Sequence, residues 1–188
     1  KQALVLSLAR FPKPEPGKPP KALPATLEFL VPTQSGSWER VAIEDPESNV
    51  FHKAMSFPGP AGEPRLLTVP GSEAIVQTWE KKGGKLVPKT LWKKDFGGRF
   101  SRMRDVEIAD LYNEGAPSLA VATHDQGVVA VLRPDGQGGF AVQEVDREPD
   151  TFVHEIETGD LDGDGVLEVY ATPSEPNRLD GREQKGSV

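Results

Sequence analysis

Apolar and polar residues alternate along this chain in short runs, separated by turns that carry glycine or proline. Thr26 to Val31, the turn Gln34-Ser35-Gly36, and Trp38 to Ile43 read as a β-hairpin. Glu73 to Trp79, a Gly83-Gly84 turn, and Leu86 to Trp92 read as a second. A third runs from Gln126 to Leu132, turns through Asp135-Gly136-Gln137-Gly138-Gly139, and returns from Phe140 to Val145. A period of two places alternate side chains on opposite faces of a strand, so these segments predict half-buried strands rather than helices.

The hairpins belong to a longer recurrence. Val106 to Ala122 aligns position for position with Ile156 to Thr172, at an offset of about fifty residues. A weaker copy ends in Gly62-Glu63-Pro64-Arg65-Leu66-Leu67-Thr68-Val69. Each unit predicts four strands, A to D: A precedes a loop, B follows it, and C and D form the hairpin. Four-stranded sheets repeated radially make a β-propeller. The expected fold is therefore all-β, with blades at about 1–45 (strands B to D), 51–95, 103–147 and 153–188, the last incomplete. These boundaries give roughly three and a half blades in one partial domain, against the four to eight or so of a closed ring. An open half-ring exposes strand edges. The expectation is a fragment, or a ring that a second chain completes.

Composition narrows the class. Charged residues at 27% and hydrophobic ones at 36% suit a soluble globular chain, and 18 prolines with 19 glycines favour short strands and many turns. A net charge of −7 offers no basic footprint for nucleic acid. With no cysteine, disulfides, thiolate zinc sites and cysteine nucleophiles are excluded. No apolar run approaches the roughly 18–20 residues of a membrane span. The first residue is Lys1, which leaves room for a removed leader or a lipid or peptide tether upstream.

One stretch carries distinctive chemistry. Asp160-Leu161-Asp162-Gly163-Asp164-Gly165-Val166-Leu167-Glu168 sets three carboxylates at alternate positions and a fourth acid after them. Like charges so close repel by roughly a kcal/mol or more per pair at intermediate dielectric. A hard cation removes that repulsion, and Ca²⁺ takes about 6–8 oxygen ligands. An EF-hand requires a bidentate Glu at the twelfth position. Here that position is Ala171, and both flanks read as strands.

With these features the units resemble the FG-GAP/VCBS repeats of the integrin-α-type calcium-binding β-propeller, whose mark is an Asp-x-Asp-x-Asp-Gly-x-x-acid loop between strands A and B. Residues 153–172 carry the strong match. The resemblance implies Ca²⁺ held by the side chains of Asp160, Asp162 and Asp164, the backbone carbonyl of Val166, and Glu168. In the preceding unit Asp110 and Glu114 remain, while Tyr112 and Ser118 replace two acids. That loop is expected to hold no metal, and neither is Ser56 to Ala61.

His52, Arg104 and His154 recur at the start of strand A, two residues before Ala54, Val106 and Ile156. In a propeller they would ring the channel mouth, as a site for an anionic or metal-bridged ligand or as polar packing. The pairs Asp105 with Glu107 and Glu155 with Glu157 share strand faces. No nucleophile elbow, phosphate loop or His-Glu-x-x-His helix accompanies them. The Pro-rich loop 11–24 and the stretch 173–185 are long connections, where function often resides.

The function expected is a non-enzymatic, calcium-stabilised module that binds protein or glycan, exported to an extracellular, periplasmic or cell-surface location. The alternative is part of a carbohydrate-active propeller enzyme of the polysaccharide lyase or dehydratase type.

Overall fold

The computed structural model describes residues 3–9, 16–17, 23–59, 61–97, 101–124 and 126–175. Among these the chain is all-β, with thirteen strands in four sheets. Strands β1 (Leu4–Leu8), β2 (Ala25–Pro32) and β3 (Trp38–Asp45) make a three-stranded sheet in chain order. A four-stranded sheet follows from β4 (Phe51–Pro58), β5 (Pro64–Pro70), β6 (Ile75–Lys82) and β7 (Lys85–Lys93). A second four-stranded sheet takes β8 (Met103–Ala109), β9 (Ser118–Thr123), β10 (Val128–Pro134) and β11 (Phe140–Arg147). The last pairs β12 (Phe152–Gly159) with β13 (Glu168–Ser174). Each registered pair is antiparallel. All three hairpins expected from alternation are present.

Local chemistry sets the turns. Only Gly83 and Gly84 separate β6 from β7, with φ of 56° and 82°. Two successive positive φ values match the right-handed twist of the flanking strands, and glycine reaches them at little cost. The Pro-rich loop lies largely outside the described residues, as does the end of the long connection, 176–185. Among the described residues no helix is long and apolar enough to cross a membrane.

The chain divides into two compact units, Lys1–Ser72 with Val76–Thr90, and Glu73–Ile75 with Leu91–Val188. In the first, Ala25, Leu27, Phe51 and Trp79 form a buried cluster edged by Phe29, Ile43, Ala54 and Leu66. Phe51 and Trp79 meet edge to face at 6.1 Å, and the indole N–H donates to Thr68 Oγ1 at 2.9 Å. The indole thus buries its apolar body without stranding its donor. In the second unit the sheets β8–β11 and β12–β13 share a core of Ala120, Ala122, Val129, Val153 and Ile156, joined by Leu111, Val169 and Ala171. Full burial of each large aliphatic chain there contributes about 1.5–3 kcal/mol. Polarity follows position: β9 is buried throughout, whereas β11 is almost entirely exposed.

A bulge recurs near the start of the first strand in three sheets. The register slips between Phe51 and Lys53, between Met103 and Asp105, and between Val153 and Ile156. A bulge adds a residue on one strand, bends it and re-aims its side chains.

In the second unit one carboxylate joins two sheets. Asp105 is 3% exposed; its Oδ1 accepts the N–H of Val106 at 2.9 Å and its Oδ2 the N–H of Ile156 at 3.0 Å. Asp105 is therefore part of the framework, bound to backbone, rather than half of a solvent-facing acid pair with Glu107.

Asp105→Ala should leave both buried N–H groups without that acceptor, at about 1–3 kcal/mol for each. Urea denaturation is expected to show a loss of at least about 2 kcal/mol, with Asp105→Asn intermediate. Equal midpoints for wild type and Asp105→Ala would show that the bridge contributes nothing.

Candidate functional site

The acidic loop connects β12 to β13, with Glu168 as the first residue of β13. Its backbone turns through Gly163 and Gly165, at φ of 78° and 89°. These positive φ values suit glycine and strain other L residues. The turn lets carboxylates capture neighbouring amides. Asp160 accepts from Gly163 N through Oδ1 at 2.7 Å and from Gly165 N through Oδ2 at 2.9 Å. Asp162 Oδ1 accepts from Asp164 N at 3.1 Å, and Asp164 Oδ1 from Val166 N at 2.7 Å. Glu168 Oε2 reaches back across the loop to Leu161 N at 2.8 Å and takes the Tyr170 hydroxyl at 3.1 Å.

These bonds gather charge. One carboxylate oxygen from each of Asp160, Asp162, Asp164 and Glu168 lies within 4.8 Å of the others, a spacing that could hold a metal ion. Partial burial pushes up the pKa of the Tyr170 hydroxyl, helped by its bond to Glu168 and by the charges of Glu168, Asp162 and Asp160. Leu161, at 79% exposed, holds no core position, so the loop is ordered by its polar bonds rather than by apolar burial.

The corresponding loop between β8 and β9 has positive φ at the same two positions and likewise wraps two amides around its first aspartate. Asp110 accepts from Glu114 N at 2.9 Å and from Gly115 N at 2.7 Å, and Asn113 and Gly115 have φ of 53° and 74°. Tyr112 and Glu114 stand where the acidic loop has Asp162 and Asp164. Between β4 and β5 the turn is of another kind: Gly59 N donates to Glu63 O at 2.7 Å, and Glu63 Oε2 accepts from Ala61 N at 3.0 Å.

The three recurring strand-A residues coincide with the bulges. His52 and Arg104 are the extra residues of β4 and β8; His154 shares its bulge with Glu155, opposite Thr172. Arg104 and His154 are brought together around Phe152. The Arg104 guanidinium lies 5.6 Å from the ring centroid, and the His154 imidazole meets the ring edge to face at 4.2 Å. His124 meets Phe152 at 4.1 Å, and its Nε2 is 2.9 Å from Arg102 Nη2. Partial burial first, and then the charge of Arg104, lower the pKa of His154. His52, in the other unit, packs against Gly71, where a Cβ would stand 3.1 Å from its Nε2 and 2.3 Å from Val50 Cγ1. The cluster therefore unites Arg104 and His154, and sequence reasoning missed Phe152, His124 and Arg102. The available signal was Phe152 itself, two residues before His154, a spacing that sets both side chains on one face of a strand.

The chain matches no protein-family model and no curated protein.

Proposed function

We propose that this chain is part of a calcium-stabilised β-propeller of the FG-GAP/VCBS type that works as a non-enzymatic binding module for protein or glycan at an exported location. The observation that carries the reading is the convergence of Asp160, Asp162, Asp164 and Glu168, with ligand oxygens inside 4.8 Å, in a loop joining two strands. Together with the carbonyl of Val166 they offer the oxygen-rich, flexible set that Ca²⁺ prefers. Antiparallel four-stranded sheets in simple chain order, with a bulge at matching places, support the blade reading. In that reading a second polypeptide or further chain closes the ring. Exposed, weakly buried calcium loops suit compartments where free calcium is plentiful, which supports export.

The ligand face in this proposal is the one bearing Arg104 and His154. Arg104, His154 and Phe152 combine a fixed positive charge, an imidazole and an aromatic edge. Such a set suits an anionic group on a glycan or on an acidic protein surface.

Calcium should raise the melting temperature and a chelator lower it. Binding at a free concentration of about a hundred times Kd stabilises by about 2.7 kcal/mol. Asp162→Ala should abolish the difference; identical melting with and without chelator in the native chain would sink the calcium reading.

The imidazole of His154 should titrate below the ordinary 6.5, and Arg104→Gln should move it upward. Because the folded chain holds that proton less tightly than the unfolded one, the resulting stability penalty is absent above 6.5. It grows as pH falls below that value and levels off beneath the depressed folded pKa. NMR titration reads the shift; a native value at or above 6.5 contradicts the packing described.

A further inference from the structure

The loop between β8 and β9 has positive φ at the same two positions as the acidic loop but differs in its charge. Arg133, near the end of β10, reaches into it. Its Nε donates to Glu114 Oε2 at 3.0 Å, its Nη2 donates to Glu114 Oε1, and its guanidinium lies 4.5 Å from the centroid of the Tyr112 ring. Leu132 pairs with Leu119, so Arg133 stands beside Ser118, the counterpart of Glu168. One cation thus contacts the residues at the second and third acidic positions and borders the last.

The geometry points to Arg133 as the built-in cation of this loop: its guanidinium does for residues 110–118 what a divalent ion would do for 160–168, ordering the turn without metal and closing it to one. A planar guanidinium suits this role because it grips a carboxylate through two parallel bonds while covering an aromatic face. The turn between β4 and β5, of another kind, also sets an arginine against an acid. There Arg65 Nε donates to Glu63 Oε1 at 2.9 Å, and its Nη1 is 3.7 Å from Glu80 Oε1. Leu66 pairs with Trp79, so Arg65 and Glu80 occupy the places of Ser118 and Arg133, with the arginine on the opposite strand. Two of the connections between a sheet's first and second strands therefore carry an arginine against an acid. The 160–168 loop has no such arginine within bonding distance among the described residues.

The comparison with 160–168 rests on the calcium reading above, but the Arg133 contact does not, and the test separates them. Arg133→Met keeps the aliphatic stem and removes the charge. Amide hydrogen exchange at Glu114 and Gly115, both bonded to Asp110, should accelerate about fivefold or more, equally in calcium chloride and in chelator. Unchanged exchange at these two amides overturns the inference. A second variant, Tyr112→Asp/Ser118→Glu/Arg133→Gln, restores the acidic pattern without the arginine. Calorimetry with calcium chloride should find one more bound ion per chain than in the native protein. A folded triple variant with unchanged stoichiometry overturns the claim that Arg133 stands in a cation's place. If the native chain binds no calcium while Arg133→Met still loosens the loop, the calcium reading fails and the role of Arg133 stands.

Discussion

An edge strand leaves backbone N–H groups that no neighbouring strand can satisfy, and burial makes each of them costly. In the second unit Asp105 meets that constraint twice. Its two oxygens take the amides of Val106 and Ile156, so one carboxylate serves the first strands of two sheets. A buried charge is tolerated only when its lone pairs are occupied by donors. The hydrophobic cluster of Ala120, Ala122, Val129, Val153 and Ile156 can then close around those strands. Packing holds the sheets face to face, and this bond fixes the height at which they meet.

The same strands begin with bulges, and this second consequence of the edge leads toward function. Pairing is interrupted at His52, at Arg104 and at His154 with Glu155. An interrupted ladder releases a side chain from the strict alternation of faces. Phe152 and His154, two residues apart, share a strand face and meet edge to face, with Arg104 of the neighbouring sheet over the same ring.

At the opposite ends of these strands the loops face a different problem, which is charge. The turn geometry brings acidic side chains onto backbone amides, and this concentrates negative potential as the loop becomes ordered. Repulsion among carboxylates at such distances amounts to about a kcal/mol or more for each pair. Arg65 and Arg133 relieve it within the chain at two turns. At the third, four carboxylates converge on one another.

The sequence by itself determined the strands, because a period-two pattern with glycine turns leaves a chain few other ways to bury its apolar side chains. It also determined the acidic loop, whose residues are contiguous and whose bonds are nearly all local. The four carboxylates of that loop were therefore legible from spacing alone, as was the recurrence of His52, Arg104 and His154. Tertiary structure alone decided what lies between distant segments. Asp105 reads in sequence much like Glu107, and it is packing that turns it toward an amide about fifty residues away. Arg133 reads as an ordinary strand-end cation until antiparallel pairing sets it beside Ser118 and over Tyr112. The physical reason is range: alternation and turn chemistry act over a few residues, whereas register and sheet packing choose which partners meet across the chain.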